Sequence, residues 1–297
     1  MTCVHIIPPG LTDESRRSAD IDTIIYFVVS LLASISGAIC GIGGGVIIKP
    51  VLDLLQTDSV ATISFLSSCT VLAMSCYSML KNLSNGENRI DLQITIPLAV
   101  GGAVGGVVGK QSYSSIAAMY PNPDTVGAWQ AALLAVVTFG TLVYTLCKKR
   151  ITTHHIDHPI ACTLIGFALG VLSSFLGIGG GPINLVVLFF FFSLDTKAAA
   201  LSSLFIILFS QLSSIGLTVL FATPPPFSWN KFVLMVAGGL LGGIVGRKIN
   251  KSISSKFVEN LFAVQIAIII VICIYNTFKF YSCFYWRLVC QLTCSVS

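Results

Sequence analysis

The chain has 297 residues, 55% of them hydrophobic and only 10% charged, with a formal net charge of +5 and a mean hydropathy of +0.89. A soluble domain is about a quarter charged, so this chain cannot cover a globular surface with polar groups and takes lipid as its solvent. The basic excess is small and dispersed, which argues against nucleic-acid binding and points to membrane orientation instead.

The first 22 residues carry Asp13, Glu14, Arg16, Arg17, Asp20 and Asp22, a polar segment with no evident cleavable signal. The apolar run at about 24–40 therefore reads as an uncleaved anchor. A spanning helix needs about 20 apolar residues, and near-full spans follow at about 61–80, 92–109, 128–147, 160–176, 198–221, 230–246 and 257–278. Two further apolar segments, 46–55 and 182–194, are shorter. At 1.5 Å per residue, ten helical residues cover about 15 Å, half of the hydrocarbon core. The expected fold is all-α, a polytopic membrane protein of about 8–10 membrane segments. Its organisation reads as a polar segment (1–22), a first membrane repeat (23–147), a linker loop (148–159), a second repeat (160–279) and a Cys- and aromatic-rich tail (280–297).

The repeat is written in glycine. Gly41-Ile42-Gly43-Gly44-Gly45 returns letter for letter as Gly177-Ile178-Gly179-Gly180-Gly181, an offset of 136. Gly101, Gly102, Gly105, Gly106, Gly109 and Lys110 match Gly238, Gly239, Gly242, Gly243, Gly246 and Arg247 at 137, as Asp58 matches Asp195. Ordered patterns at a nearly constant offset mark an internal duplication. Five membrane segments per half would invert the second half, whereas re-entrant short segments would leave eight spans and parallel halves. Counting alternate sides, the larger basic set includes Lys81, Arg89, Lys148, Lys149, Arg150, Arg247 and Lys248. That set marks the cytoplasmic side, with both termini opposite, and favours the inverted arrangement.

Each glycine cluster precedes a short segment, the best sequence pointer to a transport site. Glycines 43–45 and 179–181 let backbone amides approach a ligand, and the helix that follows points its positive end at the break. Facing N-termini would bind an anion without a formal charge; the alternative is that the glycines only permit tight helix crossing. Lys49, inside a short segment, is a candidate anion ligand, or else pairs with Asp53 one turn on or snorkels to the surface. Asn184 could donate to a ligand oxygen. Pro50 and Pro182 are expected to help keep the segments broken. The candidate substrate-binding set is Gly41, Gly43, Gly44, Gly45, Lys49, Pro50, Gly177, Gly179, Gly180, Gly181, Pro182 and Asn184, with Ser64 and Ser202 lining the path. The steps Gly101-Gly105-Gly109 and Gly238-Gly242-Gly246 read as flat helix-packing faces.

The remaining signals are bland. Six cysteines sit singly in apolar runs, as small hydrophobes, while Cys283, Cys290 and Cys294 fall in the tail and read as unpaired reduced thiols, with lipidation or pairing as the alternatives. His154, His155, Asp157 and His158 read as a solvated linker rather than a metal site, and no metal or cofactor is expected. No H-E-x-x-H, G-x-S-x-G or P-loop motif occurs, so an enzyme is not expected. Apart from Asp53 the acidic residues lie in loops or near segment ends; no proton or sodium relay is visible and no coupling ion follows.

Taken together, the paired glycine clusters, the short helices behind them and the glycine-stepped helices at 101–109 and 238–246 resemble the sulfite exporter TauE/SafE family, over roughly residues 20–280. The resemblance implies a membrane transporter, an exporter of small anions such as sulfite or organosulfonates. An anion channel and a non-transporting membrane scaffold are the alternatives. Two departures stand out: Lys49 replaces the apolar residue expected before Pro50, and Val186 stands where the first copy has Pro50.

Overall fold

The computed structural model describes residues 13–84, 91–120, 123–221 and 224–294, and within these all side chains except those of residues 13–20, 83, 123–124, 149 and 281–294. Arg89 and the side chains of Arg16, Arg17, Lys149, Cys283, Cys290 and Cys294 thus lie outside what is described. Every regular element among these residues is helical: α1 (Asp13–Cys40), α2 (Gly45–Leu55), α3 (Val60–Ser84), α4 (Leu92–Met119), α5 (Pro123–Cys147), α6 (Pro159–Leu176), α7 (Pro182–Phe192), α8 (Thr196–Phe221), α9 (Trp229–Ser252) and α10 (Ser255–Cys294), with a 3-10 turn at Lys148–Arg150. Eight are long and apolar enough to cross a membrane. The other two, α2 and α7, have eleven residues each.

Three boundaries differ from the sequence reading. α4 and α9 continue past Lys110 and Arg247, where the apolar runs stop. In a non-aqueous medium the backbone keeps its hydrogen bonds internal, and a long basic side chain can bury its stem without ending the helix. The backbone of α10 stays helical through Cys294, so the tail begins as its continuation. Pro50 does not break its segment either; it lies inside the continuous helix α2. The interruption is made by the glycines upstream. α10 supports α2 from the side, Asn276 donating to the Pro50 carbonyl and Lys279 to the Leu54 carbonyl, both at 2.8 Å.

Glycine faces set the helix pairing. A Cβ on Gly101, Gly105 or Gly109 of α4 would overlap the carbonyl oxygens of Thr163, Phe167 and Val171 on α6. On α9, Gly238, Gly242 and Gly246 meet α1 at Ser30, Ser34 and Ile35. Glycine in a helix costs about 1 kcal/mol relative to alanine, and the close backbone approach offsets it. Both lists ascend together, so α4 runs parallel to α6 and α1 to α9. The opposite glycine rows do the same: Gly102 and Gly106 meet Ile206 and Ser210 of α8, and Gly239 and Gly243 meet Thr70 and Met74 of α3. Gly41, just after α1, abuts Ala200 near the start of α8, and Gly177, just after α6, abuts Ser64 near the start of α3. The set α1, α3, α9 therefore runs against the set α4, α6, α8.

Polar clusters close the two ends of the bundle. At the end where α1 and α9 begin, Tyr26 and Lys231 each donate to Asp58 Oδ2 at 2.6 Å. At the opposite end Lys148 and Thr196 donate to Glu259 Oε1 at 3.1 and 2.6 Å. The interhelix linker docks beside them, the backbone amides of His154 and Ile156 donating to the carbonyls of Phe190 and Phe191. Its histidines are exposed. The outer faces carry exposed Val100, Val104, Val264, Ile268 and Val271, as expected of a surface solvated by acyl chains rather than water.

Candidate functional site at the two glycine breaks

The first break is a reversal of the chain. After Cys40 it turns through Gly41 and Gly43, at φ of 76° and 72°, a region that side chains rarely enter. The Gly41 amide donates to the Gly37 carbonyl at 2.8 Å. The return then runs so close to α1 that a Cβ on Gly37 would stand 2.6 Å from the Gly44 nitrogen, and one on Gly44 3.0 Å from Ser34 Oγ. α2 thus begins part-way back along α1 rather than at its end. In the second break Gly177, Gly179, Gly180 and Gly181 have φ of 66°, 77°, 110° and 66°. Pro182 then opens α7 at a position where its missing N–H costs nothing.

The two breaks touch. A Cβ on Gly45 would overlap the Ile178 carbonyl oxygen, and one on Gly181 would lie 3.3 Å from Val46 Cβ. The N-termini of α2 and α7 therefore meet inside the bundle, the amides of Ile47 and Asn184 turned back onto the carbonyls of Gly44 and Gly181 at 3.0 and 3.3 Å. α3 and α8 hold them on either side: Val71 packs on Gly43 and Gly179, Ile207 on Gly43 and Gly180, and Gln211 on Gly179.

Polar groups without partners collect here. Asn184 is fully buried, and among the described residues neither its Nδ2 nor its Oδ1 has a hydrogen-bond partner. Its Nδ2 lies 2.6 Å from where a Gly180 side chain would begin. The hydroxyl of Ser64, at Gly177, and the Oε1 of Gln211, at Gly179, are buried and unpartnered as well. An unsatisfied buried amide costs about 1–3 kcal/mol, so a cluster of them beside two helix N-termini points to a ligand.

Lys49 is buried, and its Nζ lies 2.8 Å from Asp53 Oδ2. The pairing alternative is thus the geometry present, and the ammonium does not snorkel. Its stem nonetheless reaches the second break, with Cε 3.5 Å from the Cβ position of Gly177. A small cavity of about 10 Å³ adjoins the pair, lined by Pro50, Gln130, Leu176, Cys273 and Asn276 among others. Of the two path serines, Ser64 faces Gly177 with its hydroxyl unpartnered. Ser202, two residues after the Ala200 that abuts Gly41, accepts from Thr95 Oγ1 at 3.3 Å.

Gln211 joins this site without having been singled out in the sequence. It carried a readable signal, a lone carboxamide in an apolar span.

Among the described residues, eight helices long and apolar enough to cross a membrane, with two half-length helices that meet at their N-termini, define the class: a polytopic membrane transporter. The chain belongs to the Sulfite exporter TauE/SafE family, whose model matches residues 26–273. It is also similar to the "Probable membrane transporter protein YunE" of Bacillus subtilis (strain 168), 22% identical over 268 residues that make up 83% of this chain and 95% of the relative. No solved structure matches the chain.

Proposed function

We propose that this transporter carries a small oxyanion, sulfite or an organosulfonate, bound where the N-termini of α2 and α7 meet. The observation that carries the reading is Asn184, a fully buried carboxamide with both polar atoms unpartnered among the described residues, at the junction of two helix N-termini. Backbone amides and an amide side chain are the donors a tetrahedral or pyramidal oxyanion needs. Lys49, beside the second break, adds positive potential that Asp53 partly offsets. The sulfur in the substrate class follows from membership of the Sulfite exporter TauE/SafE family.

Alternating access follows from a second proposal, that the halves 23–147 and 160–279 form an inverted pair. The opposed directions of α1 and α6 support it. So does the exchange of contacts, α1 packing on α9 as α6 packs on α4. Rocking one half against the other would expose the junction to each side in turn.

Ligand-induced stabilisation of the purified protein tests the binding half. Sulfite, sulfate, thiosulfate and methanesulfonate should raise the melting temperature in a saturable way, with at least one well above chloride at equal ionic strength. No shift with any of the four would overturn the assignment. Planar-bilayer recording separates carrier from channel, since unitary currents would contradict alternating access.

A further inference from the structure

A large cavity opens away from the glycine junction, near the end of the bundle where α1 and α9 begin. It holds about 480 Å³ and is lined by Ser59, Lys110, Tyr113, Ser114, Tyr120 and Thr218 among others. Lys110 is its cation. Its ammonium stands 5.5 Å from the centre of the Tyr113 ring, and among the described residues no carboxylate lies within ion-pairing distance of it. One residue of its wall, Tyr113, leads toward the second break. Tyr113 packs edge-on against Phe175, ring centres 6.4 Å apart, two residues before Gly177. Ser59 and the first residues of α3, Val60 and Ala61, form another wall, one turn before Ser64, whose unpartnered hydroxyl faces Gly177.

The duplicate of Lys110 is Arg247, and it too lines a cavity, at the opposite end of the bundle. That one holds only about 30 Å³, between Ala38, Ser78, Lys197, Leu201 and Asn250 among others. It is shut by two hydrogen bonds from α9. Arg247 donates to the Ser78 carbonyl of α3, and Asn250 donates to the Ile39 carbonyl of α1. Matching residues of the two halves thus stand in an open chamber and in a latched pocket.

We propose that the Lys110 chamber is a recruitment site for the transported oxyanion, and that the Arg247 pocket is its closed counterpart at the other end of the path. This rests on the transport reading above and extends it to residues outside the glycine junction. A chamber of 480 Å³ can admit an oxyanion that still carries water. A single ammonium with tyrosine and serine hydroxyls can then attract it without holding it tightly. Only deeper, at the breaks, do fixed backbone donors replace the hydration shell.

Thiol accessibility with sulfate as the probe tests both parts. Ser114→Cys places a thiol on the exposed chamber wall; its reaction with a membrane-impermeant methanethiosulfonate is counted above that of the native cysteines, in reconstituted full-length chain. Sulfate should slow this reaction relative to gluconate at equal ionic strength. Lys110→Gln should raise the sulfate concentration needed by roughly tenfold, as expected for loss of one charge-assisted hydrogen bond, and Lys110→Arg should keep protection. Leu201→Cys, in the latched pocket, should react far more slowly than Ser114→Cys from either side. An unreactive Ser114→Cys, no protection by sulfate, or protection unchanged in Lys110→Gln would overturn the recruitment site. Equal reactivity of the two thiols would overturn the closed counterpart. If sulfate protects as described yet no anion crosses the reconstituted membrane, the transport reading falls and the chamber remains an anion site.

Discussion

Gly45 and Ile178 are in backbone contact: a methyl group on Gly45 would stand only 2.3 Å from the Ile178 carbonyl oxygen. Each residue belongs to one copy of the repeated glycine motif, so the two copies build one junction rather than two separate sites. The helix N-termini of α2 and α7 are brought together by the absence of a side chain at that point.

Gly45→Ala should therefore separate the two breaks. The obstruction is backbone, which cannot swing aside as a side chain would. Uptake should fall by more than tenfold, with a lowered melting temperature. Gly216→Ala is the matched control, because nothing lies within 4 Å of its new methyl; it should leave uptake unchanged and gain up to about 1 kcal/mol from helix propensity. Parallel melting and flux measurements on both variants check this.

Asn184→Leu should split stability from binding. Removing an unpartnered buried carboxamide relieves a penalty of about 1–3 kcal/mol, so the variant should melt no lower than the parent. Anion affinity should drop by roughly tenfold or more, for lack of a donor at the junction. Isothermal titration with sulfite reads it. A variant that loses stability and keeps affinity would make Asn184 a structural residue.

Lys49 and Asp53 should behave as a unit. Lys49→Met leaves a buried carboxylate alone, at a cost of about 3–5 kcal/mol by analogy with broken buried pairs. Lys49→Met with Asp53→Leu should recover most of that loss. If the double variant folds and binds anion with parental affinity, the lysine serves the pair alone; weaker binding assigns it a share of the site.

The α4–α6 crossing should fail at one carbon. Gly105→Ala puts a methyl into the Phe167 carbonyl, and α4 cannot move away without losing the contacts of Gly101 and Gly109 as well. Folded yield should fall sharply, read by size-exclusion profile. Gly140→Ala, on α5 with open space at its Cβ position, should match the parent.

Much of this architecture is legible in the chain before it folds. Lipid solvation forces long apolar runs, so each span declares itself, and the cost of clustered glycine makes Gly41 to Gly45 and Gly177 to Gly181 conspicuous. The short helices behind them follow from counting residues. What could not be read is what depends on neighbours. That Ile178 meets Gly45, that Gln211 reaches Gly179 and that Ser64 faces Gly177 are facts of tertiary packing with no local signature. Pro50 misleads as well: it lies in the second turn of α2, where its missing N–H removes only the bond to the Val46 carbonyl and the helix runs on to Leu55. Lys110 reads as the end of a span because hydropathy cannot distinguish a residue facing headgroups from one lining a chamber.

The most direct measurement is uptake of radiolabelled sulfite into proteoliposomes containing the purified chain. The account predicts saturable uptake, faster when the vesicles are preloaded with unlabelled sulfite and reduced at least about tenfold by Asn184→Leu at sulfite concentrations below saturation. Uptake no greater than that of protein-free vesicles, for sulfite and for methanesulfonate alike, would contradict it.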